Sequence, residues 1–250
     1  MPAAVSKVDA HQIDYSTYAP QYDAARHLGK RNAYLERIRF RAFLKLIDSL
    51  PRNATILDVA CGTGRGLGYL LRAGFTEIAG LDYTPSMLEF AARNLQAEFP
   101  EHPVPLTQGD AFHLPCADGE FDCVISMNFL HMFRLDLQQQ LIAEMRRVCV
   151  PEGLIVSEFE SIHKGLFFSR YPEQRRLKTR TKFNSIWEIR RMFGREQFSS
   201  VKCLGAVLPK AYLLLENTPR LGEVVESVSF LPGFRWLAER IIVAARPRRR

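Results

Sequence analysis

Two acids and a glycine-spaced turn are the residues of this chain best suited to chemistry. The apolar pair Ile56-Leu57 meets Asp58, and Val59-Ala60-Cys61-Gly62-Thr63-Gly64 follows. Further on, Asp82 closes a second apolar run, Ile78-Ala79-Gly80-Leu81. Buried parallel strands read as such runs, and glycines let a ligand approach the backbone closely. Acid, glycine turn and second acid describe the nucleoside-binding half of a doubly wound sheet. The dinucleotide pattern G-x-G-x-x-G is incomplete, because Leu67 stands at its third position. No Gly-Lys-Ser/Thr ending of a phosphate-binding loop follows either. Asp58 itself argues against a pyrophosphate, which needs no extra negative charge beside it. A carboxylate there suits a ligand with a cationic amino-acid end.

Four stretches in register carry a resemblance. They are Asp58 to Gly64; Gly80-Leu81-Asp82-Tyr83-Thr84-Pro85-Ser86-Met87-Leu88; Gly109-Asp110-Ala111-Phe112-His113-Leu114-Pro115; and Phe121 to Ser126, running on to Leu130-His131. Over about residues 54–160 the chain resembles class I S-adenosylmethionine-dependent methyltransferases of the small-molecule type, related to quinone-ring methyltransferases. Ala60 departs from the family, many members of which carry glycine there. The resemblance implies an α/β fold with a doubly wound, mostly parallel, seven-stranded Rossmann-like sheet, its last strand antiparallel. It also implies S-adenosylmethionine as cofactor, with S-adenosylhomocysteine as product.

Roles follow for individual residues. Gly62 and Gly64, with Ala60, would pass under the methionine part of the cofactor, and Asp58 would meet its ammonium. Asp82 would accept bonds from the ribose hydroxyls, as charged acceptors do strongly. Tyr83 and Met87 would pack near the adenine, and Asp110 would take its amino group with Ala111 nearby. Met127 and Asn128 would face the sulfonium. The plainer alternatives are a loop-capping role for Asp58 and a helix-capping role for Asp82. Against the latter, Thr84 stands at the N-cap of the next helix with Pro85 at its first position. Asp122 reads as a turn-fixing residue outside the site.

The elements that would position these residues are legible as periodicities. Residues 32–50 have Leu35, Ile38, Phe43, Leu46, Ile47 and Leu50 at helical spacing. Strands are expected at 54–60, 77–82, 104–109, 122–127, 154–160, 200–207 and 239–245. Helices are expected at 64–73, 85–98, 136–148 and 185–194. Ser185-Ile186-Trp187-Glu188 is a capping box that starts the last of these. Pro151-Glu152-Gly153 reads as a turn into strand five. Alternating strands and helices give a parallel sheet.

At 250 residues, 47% of them apolar, the chain suits one domain with additions. The reading is a single domain over 1–250, with N-terminal cap helices at 1–53, a cofactor-binding core at 54–160 and insertions at 161–183 and 209–237. No apolar run reaches the ~18 residues that span a bilayer, and Met1 to His11 lacks a signal-peptide pattern. Five cysteines without C-x-x-C spacing suggest reduced thiols, no metal and a cytoplasmic protein. The segment 161–183 holds seven Lys and Arg against Glu173, so much of the net charge of +7 is local. A basic stretch there could attract an anionic acceptor or be a solvated loop. The terminal arginines, Arg246 and Arg248 to Arg250, read as a solvated tail. The segment 209–237 is strongly apolar. It reads as a helical cap, an apolar wall over a greasy substrate or a homodimer surface. Together the two insertions suggest an amphiphilic anion as acceptor: an aromatic or prenylated acid, a lipid phosphate, or a carrier-bound intermediate.

Methyl transfer from a sulfonium needs alignment more than acid–base chemistry. A hydroxyl acceptor also needs a base, and His131 is the candidate, an imidazole titrating near neutral pH just past strand four. Its alternative is packing against the cofactor or bonding a backbone carbonyl. Tyr22, in Tyr15-Ser16-Thr17-Tyr18-Ala19-Pro20-Gln21-Tyr22-Asp23, would close the pocket, as similar N-terminal segments of the family do. Arg26, His27 and His163 are further acceptor contacts. Three rival functions stand beside this one. A nucleic-acid methyltransferase would suit the basic charge, but Ser126-Met127-Asn128-Phe129-Leu130 stands where amino-directed enzymes carry Asn/Asp-Pro-Pro-aromatic. A non-catalytic binder is opposed by the intact cofactor stretches. A nicotinamide oxidoreductase is opposed by Leu67 and the Asp110 stretch.

Overall fold

The computed structural model describes residues 30–162, 182–207 and 237–249, with the single positions 224, 228 and 231. Its elements in chain order are α1 (Lys30–Ile47), β1 (Ile56–Val59), α2 (Arg65–Arg72), β2 (Ile78–Asp82), α3 (Pro85–Glu98), β3 (Leu106–Gln108) and β4 (Phe121–Ser126). A short 3-10 turn, Leu130–Met132, leads to α4 (Leu135–Val148), β5 (Cys149–Glu160), α5 (Ile186–Met192), β6 (Phe198–Ala206) and β7 (Arg240–Pro247).

The strands form one seven-stranded sheet in the order β3-β2-β1-β4-β5-β7-β6. The first five are mutually parallel, and β7 lies antiparallel between β5 and β6. The chain order reverses between β1 and β4. Such a switch point opens a crevice outside the carboxyl ends of the strands, where ligands of open α/β sheets bind.

Side-chain alternation sorts the core into two layers. Ile56, Ile125, Val156 and Ile242 pack with Ile38, Phe43 and Ile47 of α1, Leu67 and Leu70 of α2 and Leu95 of α3. Leu57, Val124, Ile155 and Val243 face the other way, onto Leu141 and Met145 of α4 and Ile189 of α5. The sheet is therefore covered on both faces, which explains its near-continuous apolar strands.

Three local expectations need correction. Strand five does not begin after a turn at Pro151-Glu152-Gly153. Pairing starts at Cys149, and the register jumps from Phe121↔Cys149 to Cys123↔Leu154, so these residues form a bulge within β5. Glu152 takes the left-handed conformation there, with φ 62°. Thr84 occupies the N-cap of α3 with Pro85 inside, but its side chain makes no cap bond; its hydroxyl bonds Asp82 instead. The terminal arginines are only partly a tail. Arg246 belongs to β7 and donates from Nη1 to the Glu152 carbonyl at 2.7 Å, and Arg248 Nε donates to the Arg195 carbonyl at 2.8 Å. The capping box is present in full, with Ser185 and Glu188 bonding each other's backbone N–H. Helix ends differ from expectation by at most three residues, as fraying ends do, and α3 matches at both ends.

Candidate active site

The glycine turn is held by backbone geometry that few residues adopt. Gly62 and Gly64 lie at φ 55° and 81°, and Ala60 at φ 61°. An L-residue in that region costs about 1 kcal/mol relative to glycine, which accounts for the glycine that many family members carry at position 60. A Cβ on Gly64 would stand 3.1 Å from Ala91 Cβ, whereas one on Gly62 would meet nothing within 4 Å. Gly64 is thus required by packing, and Gly62 faces open space.

Asp58 stands in β1 beneath this turn, 3% exposed. Burial, and then the charge of Asp82, push its pKa up to about 8. Among the described residues no cation and no hydrogen-bond donor answers it. Room for its carboxylate comes from Gly66, a residue that the sequence reading missed. A Cβ there would overlap Asp58 Oδ2. The spacing Gly62-Thr63-Gly64-Arg65-Gly66 was the available signal.

Asp82 ends β2 and is 9% exposed. Its Oδ2 accepts from the Gly62 N–H at 2.8 Å and its Oδ1 from the Thr84 N–H at 2.9 Å. It therefore ties the glycine turn to the second strand. The Thr84 hydroxyl and the Tyr83 N–H bond the same carboxylate. Burial dominates its raised pKa, against the hydrogen bonds that lower it.

The remaining cofactor candidates gather on the same edge. Tyr83 is exposed, and Met87 on α3 is buried. Gln108 donates from Nε2 to the Tyr83 carbonyl at 3.2 Å, and the Gly109 N–H donates to the Asp82 carbonyl at 3.0 Å. These bonds bring the ends of β2 and β3 together, with Asp110 and buried Ala111 following. Asp110 Oδ1 accepts from the Phe112 N–H at 2.9 Å, and its other oxygen lies 3.4 Å from His113 Nδ1. Across the switch point, the Ser126 hydroxyl donates to the Val59 carbonyl at 3.0 Å and locks the ends of β4 and β1 together. Met127 follows, buried, and then Asn128 at φ 59°.

Beyond Asn128 lies a buried ionic cluster that the sequence reading did not find. Arg39 of α1 makes a bidentate pair with Glu158 of β5. Glu158 Oε2 also accepts from the Asn128 N–H at 2.8 Å. Arg240 of β7 stands 3.8 Å from Glu158, pairs with Glu160 at 2.8 Å and donates to Asn128 Oδ1 at 3.3 Å. Burial raises the pKa of Glu158, but the Arg39 and Arg240 guanidiniums outweigh it, and the result is about 2. His131 contributes to the same lowering, so its ring faces this cluster. Its carbonyl accepts from the Lys182 N–H at 2.7 Å. Arg39 was detectable as a charge on the apolar stripe of its helix. Glu158 and Glu160 were detectable as acids at the buried end of a strand.

Asp122 lies at the other end of β4. Its carboxylate accepts from the Thr55 N–H at 2.9 Å and the Thr55 hydroxyl at 3.0 Å. Tyr22, Arg26, His27, His163 and nearly all of both insertions lie outside the described residues.

A nucleoside crevice with an unanswered buried carboxylate defines the class of protein. The comparisons agree with it. Residues 56–153 match the family model described as "Methyltransferase domain". The demethylmenaquinone methyltransferase of Thermus thermophilus is 38% identical over 157 residues, covering 61% of this chain and 67% of that protein. The demethylmenaquinone methyltransferase of Deinococcus radiodurans is 34% identical, over 64% of this chain and 65% of that protein. The chain thus spans about two thirds of the length of these relatives. The crystal structure of magnesium protoporphyrin IX methyltransferase from Synechocystis PCC 6803 with bound SAH superposes with a TM-score of 0.65 at 15% identity, covering 94% of this chain and 96% of that one, a likeness of fold alone. The chain belongs to the class I S-adenosylmethionine-dependent methyltransferases.

The residues present fit that cofactor. Its ammonium would supply the cation that the buried Asp58 carboxylate lacks among the described residues, and the space above Gly62 would admit it. No helix among the described residues is long and apolar enough to cross a membrane.

Proposed function

We propose that the protein transfers a methyl group from S-adenosylmethionine to a small-molecule acceptor seated beside the ends of β4 and β5. The observation that carries this is Asp58: a buried carboxylate with a pKa raised to about 8 and no cation beside it among the described residues. The cofactor supplies an electrophilic methyl on a good leaving group. The chain's task is to hold a nucleophile in line with it and exclude water, which supplies on the order of 7–11 kcal/mol of a barrier.

In this reading Asp58 holds the ammonium, and Ala60, Gly62 and Gly64 run beneath the methionyl chain. Asp82 takes the ribose hydroxyls, with the Thr84 hydroxyl free to turn away from the carboxylate it bonds in the ligand-free chain. Tyr83, Met87, Asp110 and Ala111 surround the adenine. Met127 and Asn128 face the reacting methyl, and the Glu158 bond fixes Asn128 in its left-handed conformation. An imidazole nitrogen of His131 accepts the proton of a hydroxyl acceptor, and Tyr22 closes the pocket.

The acceptor is a ring-bearing, amphiphilic biosynthetic intermediate. Two relatives are named for demethylmenaquinone, which supports a quinone-type ring. An anionic acceptor rests on the basic insertion alone. Among the described residues, Glu158 and Glu160 balance Arg39 and Arg240, and Lys182 is paired with Glu188 at 2.5 Å. The test is calorimetry with S-adenosylhomocysteine beside reduced nicotinamide dinucleotide, followed by transfer of labelled methyl to quinols, phenolic acids, lipid extracts and RNA. Binding of the nicotinamide compound alone would overturn the proposal.

A further inference from the structure

We infer that Arg65 binds the carboxylate of the cofactor's methionyl end, so that Asp58 and Arg65 together hold the two charges of a free amino acid. This rests on the cofactor reading above and adds a residue and a specificity to it.

Arg65 is the first residue of α2, directly after the glycine turn and directly before Gly66, which borders the Asp58 carboxylate. Residue 65 thus stands at the same helix start as the glycine that makes room for Asp58. The Arg65 guanidinium is largely buried and pairs through Nη2 with Glu36 of α1. Its Nη1 is buried and has no hydrogen-bond partner among the described residues. A buried donor left unmade costs free energy, and native structures seldom keep one without a reason.

Two further observations point the same way. Glu36 does not answer Arg65 alone, because its carboxylate also bonds the Tyr69 hydroxyl one turn along α2. That leaves it poorly placed to satisfy both arms of the guanidinium fork. The charge also stands at the wrong end of its helix. The first turn of α2 has no acidic residue, and a cation at a helix N-terminus is disfavoured by the backbone dipole. Pairing with Glu36 accounts for one arm; an arriving carboxylate accounts for the other. Arginine suits that task because its separate arms can each donate to a different carboxylate.

The inference predicts recognition of an intact amino-acid end. Calorimetry would compare S-adenosylhomocysteine with 5′-methylthioadenosine, which has the nucleoside but no amino-acid end. Arg65→Met should weaken S-adenosylhomocysteine binding by about 10- to 100-fold, the range of a charge-assisted hydrogen bond. It should leave 5′-methylthioadenosine affinity unchanged, which also reports that the variant folds. Arg65→Lys should recover part of the loss. Equal weakening of both compounds would give Arg65 a structural role and overturn the inference, as would unchanged S-adenosylhomocysteine affinity. Failure of the wild-type protein to bind either compound would overturn the cofactor reading, and the inference with it.

Discussion

Replacing Asp58 with asparagine should stabilise the ligand-free protein while abolishing cofactor binding. The folded pKa of about 8 lies above the ordinary 3.8. The sign follows from linkage. A group whose folded pKa is raised contributes fully below the unfolded value, and that contribution is lost as pH rises to the folded value. Each pH unit between about 4 and 8 therefore costs the folded state ~1.4 kcal/mol, or about 4 kcal/mol by pH 7. Asparagine does not titrate, but its amide would lie in the same dry space without partners, which returns about 1–3 kcal/mol of penalty. A net gain of about 1–3 kcal/mol remains. For a chain of this length it corresponds to a rise in Tm of roughly 2–12 °C.

The diagnostic is the pH dependence of the difference between variant and wild type. Thermal melts of both proteins without ligand, from pH 5 to pH 9, should show the variant's advantage growing up to about pH 8 and then levelling. A difference of constant size across that range would refute the reasoning, because it would place the effect in packing rather than charge. A variant less stable than wild type at pH 8 would refute it as well.

Cofactor binding should be linked to the same proton. Below pH 8 the ammonium recruits a carboxylate that is largely protonated, so binding of S-adenosylhomocysteine at pH 7 should release close to one proton. Calorimetry in buffers of different ionisation enthalpy would measure it, and zero release would exclude Asp58 as the ammonium's partner. Glu158→Gln leaves two guanidiniums facing a neutral amide and should cost about 3–5 kcal/mol, read from urea unfolding; Arg39→Met with Glu158→Met together should recover most of the loss. Because the Glu158 pKa is lowered to about 2, its contribution is present above about pH 4.5 and is lost as pH falls toward 2. His131→Ala should lower turnover more than cofactor affinity, and an equal loss of both would reassign it to binding. Gly66→Ala should weaken S-adenosylhomocysteine binding by displacing the Asp58 carboxylate, with unchanged circular dichroism as the control.

Much of the cofactor half was legible because its signals are local. Each parallel strand is buried on both faces and so reads as an apolar run. The acid that closes a run marks the carboxyl end, and the glycines next to it mark positive φ. Strand three was harder to bound, since Leu106–Gln108 is short and half exposed at the sheet edge. The bulge at Pro151 to Gly153 looked like a turn because proline and glycine punctuate both. The ionic cluster was not legible as a cluster. Arg39, Glu158 and Arg240 come from three elements, and only the antiparallel insertion of β7 beside β5 brings Arg240 to the carboxyl edge.

The contrast between Asp58 and Glu158 explains the layout of the site. Both are buried acids on the face of the sheet covered by α1, as the neighbouring Ile56 and Val156 show. Only β4 lies between their strands, so they stand roughly 10 Å apart by strand spacing. Glu158 has two arginines and a backbone N–H, and its pKa falls to about 2. Asp58 has none of these among the described residues, and its pKa climbs to about 8. If burying acids on this face were only a matter of stability, the same remedy would serve both. Arg39 already reaches one of them from α1, and its neighbour Phe40 lies over the Gly66 that borders the other. A cation at position 40 would answer Asp58 within the chain. An aromatic ring there leaves the carboxylate for a cation that arrives from outside. The protein itself neutralises Glu158, and it leaves Asp58 unanswered among the described residues, which is where the proposed ammonium would bind and offset the cost in stability.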